Sequence, residues 1–118
     1  MLVDNQAYAS IRDTRIVGNA ARSGAGLDVR VNSAVDVADS VIQGNAATFG
    51  AGLYVSQSSS AVVTASSLVA NTATATGAAA HVEDNSDIAL AGVSASDHAA
   101  RGDFETSSFT NICGYRSR

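Results

Sequence analysis

The chain has 118 residues, 46% of them hydrophobic but only 5% aromatic, with no proline and no tryptophan. Its formal charge of −4 sets 11 acidic residues against 7 basic ones, all of them arginine. This is one domain's worth of small and β-branched core. It offers no basic patch for a nucleic-acid backbone, contains no apolar stretch long enough for a membrane span, and, with Cys113 alone, makes neither an intrachain disulfide nor a multi-cysteine metal site.

The N-terminal "MLVDNQAYAS" lacks a basic segment followed by an apolar one, so a signal for export, if the parent protein is exported, lies outside this chain. Met1 and Val3 already occupy the positions that Leu27 and Val29 fill in the next copy of an internal repeat, so the chain starts part-way through a copy. The repeat is plain in "GNAARSGAGLDV" (18–29) and "GNAATFGAGLYV" (44–55), with a weaker echo in "ANTATATGAAAHV" (70–82). Asn19, Asn45 and Asn71 are 26 residues apart each time, and Ile16, Ile42 and Leu68 precede them by three. Gly24 and Gly50 keep step. Gly77 comes one residue late, which places a one-residue insertion in a loop between Asn71 and Gly77.

Within a copy the apolar positions alternate: Ala25, Leu27, Val29, then Val35, Val37, then Ile42, Gly44. Leu53, Val55, Ala61 and Val63 repeat the series, as do Ala80, Val82, Ile88 and Leu90, with Ala9 and Ile11 upstream. Period two specifies strands. Three short strands per copy, separated by Gly, Asn, Ser and Asp, describe an all-β parallel β-helix of about four coils of 26 residues. Each coil buries its inward side chains only against its neighbours. The missing proline agrees, because proline deletes a ladder hydrogen bond. Asn19, Asn45 and Asn71 are expected to form a structural ladder, since Asn tolerates left-handed turns and stacked amides bond along the column. Glycines 24, 26, 50 and 52 are read as positive-φ or tight-corner positions. Residues 1–95 make up the repeats. From 96 to 118 the period decays into a tail or crude cap, and the whole is read either as a piece of a longer solenoid whose neighbouring coils continue the stack or as a gene product truncated at the sequence level.

The pattern from Ile16 to Val29 and again from Ile42 to Val55, with "GAGL" preceded by "IVGN" or "IQGN", resembles the right-handed parallel β-helix repeats of bacterial surface proteins. It is most similar to polymorphic outer membrane protein and autotransporter passenger repeats, with Ile or Leu replacing the family's Phe. The resemblance implies a pectin-lyase-like fold and a secreted or cell-surface location. It also implies a non-catalytic role in adhesion or display, toward carbohydrate or a host or cell-surface protein. The alternative it implies is a fragment of a carbohydrate-active enzyme, a polysaccharide lyase or hydrolase.

Several residue groups carry candidate chemistry. Asp13 and Asp39 stand one coil apart. They form either solvated turn carboxylates or an acidic pair whose proximity raises one pKa or recruits a cation; their column continues to Ala65 and Ala91. Tyr54 and His81 are expected to share an outward column with Leu2 and Asp28, a surface contact in which an aromatic beside a His and an acid suits a sugar ring. The expected set contains no catalytic residue, cofactor or metal ligand. Arg101-Gly102-Asp103 matches an integrin-type tripeptide. "TATAT" at 72–76 is not repeated in register on the earlier copies, as a threonine array facing ice requires.

Overall fold

A computed structural model describes residues 1–96, 104–106 and 116–117. Alternating side chains set the path of the chain: Leu27, Val29, Val35, Val37 and Ile42 point inward and are wholly or almost wholly buried, while the residues between them face out. The strands gather into three parallel faces. The first stacks Leu2–Val3, Leu27–Val29, Leu53–Val55, Ala80–Val82 and Phe104–Thr106. The second stacks Tyr8–Arg12, Ala34–Ala38, Ser60–Thr64 and Asp87–Ala91. The third stacks Arg15–Val17, Val41–Gln43, Ser67–Val69, Ser94–Ser96 and Arg116–Ser117. The protein is an all-β parallel solenoid of about three turns, slightly fewer than the four coils expected. Among the described residues there is no helix, and so none long and apolar enough to cross a membrane.

Equivalent residues of successive turns pair directly. Ile16, Ile42 and Leu68 lie in one register column and are 9%, 0% and 0% exposed. Two details differ from the sequence reading. A fourth short ladder, Ala46–Phe49 against Thr72–Thr76, joins the three expected strands; the preceding turn adds only the single bridges Ala20 to Ala46 and Ser23 to Phe49. The one-residue insertion falls inside that ladder, where the register shifts between Ala73 and Thr76. A β-bulge absorbs an added residue without moving the faces on either side. Beyond it the repeat runs one residue late, so Ile88 pairs with Ala61, and the turn residue after Asp13, Asp39 and Ala65 is Gly92 in place of Ala91.

The corners confront buried backbone groups that no strand satisfies, and side chains meet them. At the corner before the short ladder, Asn19 N and Nδ2 both donate to Asn45 Oδ1 (2.9 and 3.1 Å), and Asn45 N and Nδ2 both donate to Asn71 Oδ1 (3.0 and 3.1 Å). Asn45 Nδ2 also reaches Ile16 O and Asn71 Nδ2 reaches Ile42 O, each at 3.1 Å. The other two corners use serine. Ala7 N donates to Ser33 Oγ, Ser33 N to Ser59 Oγ and Ser59 N to Ser86 Oγ, while Thr14 N donates to Ser40 Oγ and Ser40 N to Ser66 Oγ.

The four glycines divide into two kinds. Gly24 and Gly50 take φ of 56° and 57°, which a side chain rarely tolerates. Gly26 and Gly52 do not; a Cβ on Gly26 would sit 2.5 Å from Gly52 O and 2.7 Å from Ile42 Cγ2, so crowding between coils, and not a positive φ, requires glycine there.

Two substitutions test this core. Ile42→Asp places an unpaired charge in a fully buried column and is expected to abolish cooperative folding; a soluble variant with a sharp melt refutes the register. Asn45→Ala orphans buried groups on both neighbouring turns and is expected to cost about 1–3 kcal/mol, read as a lower urea midpoint at unchanged slope.

Candidate functional site

The middle residue of each three-residue strand on the first face points outward, because its two neighbours point into the core. Leu2, Asp28, Tyr54 and His81 occupy this position in consecutive turns, paired in register. Two residues later the same outward side carries Arg30, Ser56 and Glu83. The positive-φ glycines hem the column on its other side: a Cβ on Gly24 would lie 2.6 Å from Asp28 Cβ, one on Gly50 3.0 Å from Tyr54 Cβ, and one on Gly77 2.8 Å from His81 Cβ. The column therefore lies directly against glycine backbone. Asp28 is 8% exposed, whereas Tyr54 and His81 are half-buried.

The coil spacing of about 4.8 Å leaves room for rings on successive turns to stack. The Tyr54 and His81 rings stack with centroids 5.4 Å apart and planes 4° from parallel, and Phe49 leans on His81 at 5.7 Å and 55°. Glu83 closes the cluster. Tyr54 OH donates to Glu83 Oε1, and Glu83 Oε2 lies 3.3 Å from His81 Nε2. One carboxylate thus ties together two rings from different turns. The Tyr54 hydroxyl bond, ahead of the pairing with His81, holds the Glu83 carboxyl below its ordinary range. Burial and the Glu83 carboxylate push the Tyr54 hydroxyl up to about 12. Tyr54 therefore stays protonated at neutral pH and serves as a hydrogen-bond donor. A turn away, Asp28 Oδ2 lies 3.4 Å from Arg30 Nη2; burial raises the Asp28 carboxyl against the pull of Arg30.

Asp13 and Asp39 lie elsewhere, exposed at consecutive left-handed turns (φ 49° and 50°) between the second and third faces. The Asn19, Asn45, Asn71 column runs along the corner before the short ladder, with Asn45 and Asn71 buried and Asn19 exposed. Among the described residues no three His, Cys, Asp or Glu side chains gather as metal ligands. Arg101-Gly102-Asp103, Cys113 and most of the 96–118 tail lie outside the described residues. Glu83, Phe49 and Arg30 were missed from sequence. The signal for Glu83 was its place two residues beyond His81 on the same outward side. No protein-family model matches the chain, and neither a curated protein nor a solved structure matches it.

The cluster sets a pH dependence. Because the folded pKa of Glu83 is depressed, its contribution to stability is present above the unfolded carboxylate value of about 4.3 and is lost as pH falls through the folded value. The gap in Tm between the parent and Glu83→Gln is expected to be fully present above about pH 5 and to close as the pH falls below the unfolded carboxylate value of about 4.3. In an absorbance titration one tyrosine is expected to ionise near 12 and to be missing from Tyr54→Phe; a parent chain that shows no such step contradicts the cluster.

Proposed function

We propose that this solenoid is a non-catalytic segment of a secreted or surface-displayed β-helix protein of the pectin-lyase-like kind, and that it works by adhesion or display. The observation that carries the reading is the outward column Asp28, Tyr54, His81, fixed by strand register and rimmed by Arg30 and Glu83. A paired-strand scaffold holds these groups at constant spacing, which is what a repetitive ligand such as a polysaccharide or an extended cell-surface protein requires. The resemblance of the "GAGL" and "IQGN" elements to passenger repeats supports the location. Tyr54 engages its hydroxyl with Glu83 and one ring face with His81, so a sugar meets ring edges and the charged rim, and a millimolar Kd (about −4 kcal/mol) is the expected scale.

The rival reading is a fragment of a polysaccharide lyase or hydrolase. A panel of neutral polysaccharides and polyuronates, with and without Ca²⁺, separates the two. Weak binding reduced in Tyr54→Ala, with no unsaturated product or new reducing ends, is the expected result. Turnover that disappears in Asp13→Asn or Asp39→Asn overturns the display reading in favour of the enzyme, and binding that is unchanged in Tyr54→Ala removes the column from it.

A further inference from the structure

Glu83 directly follows the Ala80–Val82 strand that carries His81, so the two side chains, two residues apart, leave the backbone on the same outward side. Glu83 Oε2 and His81 Nε2 are 3.3 Å apart. An imidazole nitrogen and a carboxylate oxygen that each lie about 2.0–2.1 Å from one Zn²⁺ subtend roughly 105° at that separation, close to the tetrahedral angle. The right angle of an octahedral ion with bonds of the same length needs a separation of roughly 2.9 Å.

Both groups are held in this geometry by other side chains. The His81 ring is stacked on Tyr54 and braced by Phe49. Glu83 Oε1 accepts the Tyr54 hydroxyl, which turns Oε2 to His81. A carboxylate fixed by a donor and an imidazole fixed by its neighbours are what orient the ligands of a metal site. The Glu83 carboxyl, held below its ordinary range, is ionised at neutral pH, and among the described residues it forms no ion pair with an arginine. Its side chain is 38% exposed, so an ion reaches it from solvent and has room for further ligands.

We propose that His81 Nε2 and Glu83 Oε2 are the protein ligands of a Zn²⁺ site whose two remaining tetrahedral positions are open to water or to an oxygen atom of a bound partner. Tyr54 stays outside the coordination sphere as a positioning residue, because its hydroxyl bonds the carboxylate oxygen that faces away from the ion. An imidazole with a carboxylate suits zinc, whereas Mg²⁺ takes an octahedral shell of oxygen atoms. Zinc binding here does not depend on whether the column also binds polysaccharide.

The test titrates zinc chloride into the full chain carrying Cys113→Ser, which removes its single thiol, and reads the heat of binding and the ring nitrogen signals of His81 and His98 by NMR. One ion per chain is expected to bind, with shifts at His81 and none at His98. Binding is expected to be lost in His81→Gln and in Glu83→Gln, to weaken about tenfold in Tyr54→Phe, and to be unchanged in His98→Gln. Magnesium chloride at the same concentration is expected to leave the His81 signals in place. Should His81→Gln or Glu83→Gln fail to fold, the histidine signals of the parent decide. The proposal is overturned by the absence of saturable binding, by shifts at His98 alone, by an affinity that survives in folded His81→Gln or Glu83→Gln, or by equal shifts with Mg²⁺. An unchanged zinc affinity in Tyr54→Phe removes that residue's positioning role.

Discussion

Coil-to-coil hydrogen bonding in fixed register is the constraint on which the rest depends. Each turn meets the next about 4.8 Å away, so a residue's neighbour above is its own equivalent in the repeat. Apolar equivalents make a core column such as Ile16, Ile42, Leu68. Polar equivalents at the corners must bond one another, because water does not reach them: Asn45 and Asn71 are fully buried and Ser33, Ser40, Ser59, Ser66 and Ser86 nearly so. Three ladders, one of asparagine and two of serine, answer the same demand at three corners. They also account for the crowding at Gly26 and Gly52, where the Asn45 and Asn71 amides and the next turn's carbonyls come too close for a side chain.

The same register produces the outward cluster. Tyr54 and His81 are far apart in sequence, yet one turn brings their rings face to face, and the residue just beyond the His81 strand, Glu83, bonds to both. No single strand contains that chemistry; it arises between turns. The charges are unevenly placed. Arg12, Arg15, Arg22 and Arg30 all belong to the first part of the chain, where Arg12 reaches Asp36 of the next turn, whereas the stretch from Val31 to Ser96, which carries Glu83, Asp84 and Asp87, contains no arginine. Glu83 therefore finds a phenol and an imidazole as partners in place of a guanidinium, and the Tyr54 hydroxyl carries the resulting shift.

A scaffold of this kind tolerates irregularity only where the register can recover. The extra residue of the third copy enters the short ladder, the least extensive sheet of the solenoid, and pairing on the second face resumes over five consecutive residues from Asp87 to Ala91. Had it entered the strand Asp87–Ala91 itself, Ile88 and Leu90 would have turned outward.

Much of the fold was legible in the residues alone. The 26-residue spacing of Asn19, Asn45 and Asn71 and the alternation through Leu27, Val29, Val35 and Val37 determined the all-β parallel coil and its core, because a repeat that pairs with itself states which residues stack. The spacing also placed Tyr54 over His81 and under Asp28. It did not show that their rings touch, that Glu83 ties them, or that Phe49 leans on them, since those depend on side-chain directions and on the path of the segment after each strand. The serine ladders stood at the same spacing but were hidden among many serines. The short ladder at Ala46–Phe49 was read as loop because Ala46-Ala47-Thr48-Phe49 shows no alternation of apolar and polar residues. Only tertiary structure decided these points: period specifies which residues are neighbours between turns, whereas the direction of each side chain, and what it bonds, is settled by packing across the corner.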